Sequence, residues 1–137
     1  MAIISELIRS EDGSCLSFGD YTLPEKKKVS DFLFEGNYFK VKTYKESTRL
    51  EQNDLLVYES VPGTAVHQLT ETDGEMDFTV EGPEDAEITL GMEEETDYEV
   101  FLDGSSVGVI TTNLSGKLTF SVELSEGRQV QVRVVRK

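Results

Sequence analysis

Apolar and polar residues alternate along much of the chain, most regularly over residues 117–124. There Leu118, Phe120, Val122 and Leu124 share one parity, and Lys117, Thr119, Ser121 and Glu123 the other. A strand places two such sets on opposite faces, one buried and one wet, whereas a helix would scatter both around its circumference. The same alternation recurs at Met76-Phe78-Val80, Ala86-Ile88-Leu90, Tyr98-Val100-Leu102 and Val130-Val132-Val134. Phe39, Val41 and Thr43 alternate in turn with Tyr38, Lys40, Lys42 and Tyr44, and residues 55–61 read as a further strand. Residues 24–33 fit a strand better than a short helix begun by Pro24.

Turn-forming pairs interrupt these runs about every ten residues, from Asp12-Gly13 through Asp73-Gly74 and Asp103-Gly104 to Glu126-Gly127. The pattern predicts an all-β protein, an antiparallel two-sheet sandwich or jelly roll of about ten short strands, forming one domain over residues 1–137. Residues 98–137, the most regular part, read as a four-stranded meander. An open sandwich leaves edge strands, from which homo-oligomerisation is expected.

Charge narrows the classes of partner. The net charge is −14, and residues 50–116 hold seventeen Asp or Glu and no Lys or Arg. Such a surface repels the phosphates of nucleic acid and of anionic membranes, so neither is an expected partner, whereas a protein partner stays open and an acidic glycan is expected only at a basic face. No run of about twenty apolar residues occurs, and Glu6 interrupts the N-terminal apolar residues, so a soluble cytoplasmic protein is expected. Cys15 is the sole cysteine, which excludes an internal disulfide or a thiolate zinc cage, and it reads as an inert strand residue. Glu81, Glu84, Asp85, Glu87, Glu93, Glu94, Glu95 and Asp97 lack the spacing of a calcium loop and read as a solvated face. No metal and no cofactor are expected.

The chemical motifs are few. Gly104-Ser105-Ser106-Val107-Gly108 matches the G-x-S-x-G nucleophile elbow, but that device needs a strand before the serine and a helix after it. Here Asp103-Gly104 suits a hairpin turn, and a second strand follows. A base is also scarce, since His67 is the only histidine and reads as a half-buried strand residue sharing a face with Ala65 and Leu69. With 27 acids, some carboxylate pair will lie at a glycosidase-like separation by chance, and none stands out. The face formed by Tyr38, Lys40, Lys42 and Tyr44, with Lys45 and Arg49 nearby, interleaves aromatics with bases. It is the candidate ligand-binding site, suited to stacking on a sugar and pairing with its carboxylate. Lys26-Lys27-Lys28 either extends that patch or solvates a turn. The sequon Asn113-Leu114-Ser115 has no role in a cytoplasmic protein.

Four strings, L-S-F-G-D-Y-T-L, K-V-K-T-Y, V-Y-E-S-V-P-G-T-A-V and T-N-L-S-G-K-L-T-F-S-V-E-L, resemble a family of short bacterial proteins labelled endosialidase or endosialidase-like. The resemblance implies binding or processing of sialic acid polymers or other glycans. Its motifs are structural: the chain has no Trp and no Asp-box, and Arg9, Arg49, Arg128, Arg133 and Arg136 match no sialidase clamp. No catalytic role is therefore carried over, and a non-catalytic module is the leading expectation. Residues 98–137 also resemble accessory sandwiches of polysaccharide-degrading enzymes.

Overall fold

The alternating runs all become strands. A computed structural model describes residues 6–11, 14–72 and 74–137, so the turns expected at Asp12-Gly13 and at Asp73 fall outside the described residues. Its thirteen strands are β1 (Ile8–Glu11), β2 (Cys15–Phe18), β3 (Lys27–Phe34), β4 (Asn37–Tyr44), β5 (Ser47–Gln52), β6 (Leu55–Val61) and β7 (Ala65–Thr72), followed by β8 (Glu75–Glu81), β9 (Ala86–Gly91), β10 (Asp97–Leu102), β11 (Ser105–Thr111), β12 (Lys117–Val122) and β13 (Gln129–Arg136). Among the described residues there is no helix. None, therefore, is long and apolar enough to cross a membrane.

The strands form two antiparallel sheets, one of seven strands in the order β1-β2-β7-β8-β13-β10-β11 and one of six in the order β12-β9-β6-β5-β4-β3. Their inner faces meet as a two-sheet sandwich, as the periodicity predicts. The segment at residues 24–33 is strand β3 from Lys27 onward.

Tyr58 of β6 sits at the centre of the core, edge-on to Phe18 at 5.3 Å and to Phe78 at 5.5 Å. Both rings come from the facing sheet, so these contacts hold the layers together. Burial pushes the Tyr58 phenol well above its usual pKa. The hydroxyl is bonded to Thr64 Oγ1 at 2.7 Å, within a buried network that also joins Ser60, Thr48 and Thr43. Among the described residues no buried side-chain polar atom lacks a partner, so this network fixes one end of the sandwich without leaving a buried donor or acceptor unpaired. At the same end, the Gly63 N–H donates to the Lys45 carbonyl at 3.0 Å. A Cβ at Gly63 would collide with the Tyr44 carbonyl, so glycine lets the β6–β7 link lie directly on the β4–β5 turn.

Two expectations are corrected. Residues 98–137 are not a meander: β10 pairs with β11 and β13, whereas β12 belongs to the other sheet and pairs with β9. The Asp103-Gly104 turn is tight and keeps β10 and β11 adjacent, whereas residues 112–116 cross the gap of about 10 Å between sheets. Thr112 anchors that crossing, its Oγ1 donating to the Glu93 carbonyl at 2.6 Å and accepting from the Thr96 N–H at 2.8 Å. Leu118, Phe120 and Val122 then face the core opposite Leu90, Ile88 and Ala86. In β7, Leu69 does not share the face of His67. A register shift between His67 and Thr70, with Gln68 at φ 57°, turns Leu69 into the core.

Candidate functional site

Strand β4 turns Phe39, Val41 and Thr43 inward and Tyr38, Lys40, Lys42 and Tyr44 outward, so the four expected residues share the outer face of the six-stranded sheet. They do not converge on one point. Successive outward residues lie about 7 Å apart, and the two tyrosines about 20 Å apart, too far to stack on one sugar ring. The face suits an extended ligand lying along β4.

The counter-ions divide the face. Lys40 Nζ pairs with Glu51 at 3.2 Å, and Arg49 pairs with Glu51 at 2.8 Å and Glu59 at 3.1 Å. The Arg49 hydrogen bond, reinforced by Lys40, holds the Glu51 carboxyl below the usual glutamate range. Lys40 and Arg49 thus already have anions. Lys42 differs: on β3 it faces Lys28, and on β5 it faces Arg49. Among the described residues neither Lys28 nor Lys42 takes part in an ion pair.

Directly opposed side chains on antiparallel strands have Cβ atoms about 5 Å apart, and like charges there repel. Lys28 and Lys42 therefore form a short cationic row that a carboxylate placed between the two ammonium groups would relieve. Lys26 extends this end of the face, its Nζ 5.7 Å from the centre of the Tyr44 ring. Lys27 is opposite the inward-facing Thr43 and so does not join the row. At the other end, Tyr38 is opposite Leu33, and both are more than half exposed. Their hairpin is held by Asn53, whose Oδ1 accepts from the Tyr38 N–H at 3.0 Å and whose Nδ2 donates to Asn37 Oδ1 at 2.9 Å.

Sequence reasoning missed the role of Lys28. The signal was the hairpin register, but a bulge between Val29 and Phe32, with Asp31 at φ 58°, shifts the pairing by one residue. Counting back from the turn without that bulge gives Lys28 the wrong partner. The roles of Glu51 and Glu59 depend on the β4–β5–β6 pairing and were not legible locally.

The remaining motifs fall into structural roles. Ser106 Oγ donates to Glu99 at 2.6 Å and accepts from the Gly108 N–H at 3.2 Å, on a hairpin followed by strand rather than helix. His67 Nε2 lies 2.6 Å from Glu81 Oε2, which also accepts from Gln129 at 3.2 Å. This pair, with Glu81 buried and His67 largely so, lies on the outer face of the other sheet, on strands remote from Ser106. Cys15 is buried, with its Sγ donating to the Glu11 carbonyl. In the sequon, Asn113 Oδ1 accepts from the N–H groups of Ser115 and Lys117 and so closes the β11–β12 turn.

The acidic residues are dispersed: Asp85 accepts from the Leu124 N–H at 3.1 Å, Glu93 pairs with Arg136 at 3.0 Å, and Asp97 accepts from the Thr111 hydroxyl. Among the described residues, no three acidic, His or Cys side chains gather as metal ligands. Between the sheets, Leu16, Phe34, Phe39, Val57 and Leu69 line an apolar recess. Glu71 stands on its rim, where loss of water from the carboxyl pushes its pKa up. No family model, curated protein or solved structure matches the chain.

Proposed function

We propose that this protein is a non-catalytic binding module and that the outer face of its six-stranded sheet takes an acidic glycan. The observation that carries this reading is the opposition of Lys28 and Lys42, unneutralised on a chain of net charge −14. Cross-strand repulsion makes the empty face costly, and a bound carboxylate relieves it, so binding gains both the new contacts and the lost repulsion. Lys26 adds a further cation at this end of the face, and Tyr38 and Tyr44 offer apolar surface to a chain laid along β4. The resemblance to endosialidase-like proteins favours polymeric sialic acid, one carboxylate of which would sit between Lys28 and Lys42.

A thermal-shift titration with oligomeric sialic acid tests this. A ligand at about 100 times its dissociation constant stabilises the fold by about 2.7 kcal/mol, so a saturable rise of several degrees is expected. Neutral oligosaccharides should give no rise, and Lys28→Glu with Lys42→Glu should abolish it. A flat wild-type response, or an unchanged rise in the double variant, would refute the reading.

A further inference from the structure

Strand β11 is the outermost strand of the seven-stranded sheet, and its sequence, S-S-V-G-V-I-T, carries no charged side chain. The other three outer strands are charged: Arg9 and Glu11 on β1, Lys27, Lys28 and Asp31 on β3, and Lys117 on β12. Charged side chains on an edge deter another edge from adding to it, and β11 lacks that protection. Val107 and Val109 on this strand are each more than half exposed.

The backbone of β11 is set for pairing. The Thr112 N–H, just past the end of the strand, donates to the Thr96 carbonyl at 2.9 Å, which fixes the direction of the backbone groups that precede it. By the alternation of antiparallel bonding, Ile110 also points to β10, and Val109 and Thr111 turn their N–H and C=O groups outward. The β10–β11 register shift is confined to the half of the hairpin near the turn. From Gly108 to Thr111 the strand pairs regularly with Val100 to Asp97.

We infer that β11 is a self-association edge at which a second copy of this chain adds its own β11 in antiparallel orientation. A two-fold axis at Ile110 sets Val109 of each copy against Thr111 of the other. Each such pair exchanges two backbone hydrogen bonds, giving four in all, and the two seven-stranded sheets become continuous. The Ile110 side chains meet on the inner face, and Val109 is covered on the outer face.

The uncharged edge is complementary to itself in backbone register, and charge opposes the approach of a second copy elsewhere. Two bodies of −14 repel, so they can approach only where acids are absent or engaged. Beside β11, Glu99 is held by Lys137 at 3.2 Å and by Ser106, and Asp97 by the Thr111 hydroxyl. The remaining repulsion is long-range and screened by salt, so the dimer tightens as ionic strength rises. The proposed glycan face lies on the other sheet and is independent of this contact.

Sedimentation equilibrium over a concentration series, at low and high sodium chloride, tests the inference. The wild type should show a monomer–dimer equilibrium that salt strengthens. Val109→Lys with Thr111→Lys should weaken it by about tenfold or more with little change in thermal midpoint, since both side chains are exposed and the lysine at 111 replaces the hydroxyl bond to Asp97 with an ion pair. Leu55→Lys, at an exposed apolar position elsewhere, should leave it unchanged. At the two-fold axis the Ile110 Cα atoms would lie about 4.5 Å apart, within disulfide range, so Ile110→Cys should yield a cross-linked dimer on mild oxidation. Leu114→Cys should not. A wild type that stays monomeric throughout, a dimer indifferent to the β11 lysines or equally weakened by Leu55→Lys, or no cross-link at position 110 would each overturn the inference.

Discussion

The β3–β4 and β10–β11 hairpins use the same backbone devices to different ends. Each closes one end of a sheet with a two-residue turn, Glu35-Gly36 in one and Asp103-Gly104 in the other, and both residues of each turn have positive φ. Turns of that hand match the twist of the flanking strands. Each hairpin also carries a register shift and leaves an outer strand at a sheet edge. The side chains on that strand differ. β3 bears Lys27, Lys28 and Asp31 and presents Lys28 against Lys42, whereas β11 bears no charge. The difference teaches that edge chemistry, rather than backbone geometry, separates the hairpins: the charged one suits the anion proposed for its sheet surface, and the uncharged one suits the second copy proposed for its backbone.

The largest perturbation expected is structural. Gly63→Ala forces a Cβ into the Tyr44 carbonyl beneath the basic hairpin and should cost about 1–3 kcal/mol in thermal or denaturant unfolding. Hydrogen exchange should then show lost protection in β4 and β5 and little change in β10 and β11. Equal loss in both hairpins would remove the independence on which the comparison rests. Salt is the next lever, and it separates the two roles by sign. Raising ionic strength should weaken acidic-glycan binding and strengthen self-association, and a shared direction would mean that the two surfaces are not chemically distinct.

Glu51→Gln sharpens the comparison on one side only. It removes the anion that neutralises Lys40 and one of the two that hold Arg49, and should tighten acidic-glycan binding by up to about fivefold without altering dimerisation. Glu51 also carries a pH signature, because its folded-state pKa is depressed by Arg49 and Lys40. A depressed carboxyl contributes stability above the ordinary glutamate value of about 4.3, and that contribution is lost as pH falls through the folded value. The wild-type thermal midpoint should therefore drop across that acidic window, and Glu51→Gln should show a smaller drop. Smallest of all, Ser106→Ala removes the hydrogen bond to Glu99 and should change stability by less than about 1 kcal/mol. Glycan binding should be untouched, since Ser106 lies on the other sheet.

The sequence revealed what depends on a period of two. The inward residues of β8, β9, β12 and β13 lie where alternation placed them, as do Tyr38, Lys40, Lys42 and Tyr44 on one face. It did not reveal what depends on register or on the choice between sheets. A single-residue bulge moved Lys28 opposite Lys42, and another at Gln68 reversed Leu69. The departure of β12 from its neighbours followed from a five-residue link tied down by Thr112, whose partners Glu93 and Thr96 are distant in sequence. Which cations keep a net charge was equally non-local, because Glu51 and Glu59 reach Arg49 only through strand pairing.

The most direct test of the glycan face is an amide NMR titration of the wild-type protein with oligomeric sialic acid, in which every strand reports at once. Saturable shifts concentrated at Lys28, Lys42, Tyr44 and Arg49 are predicted, with β11 unaffected. Absent shifts, or shifts centred on the seven-stranded sheet, would contradict the assignment of the basic face as the binding surface.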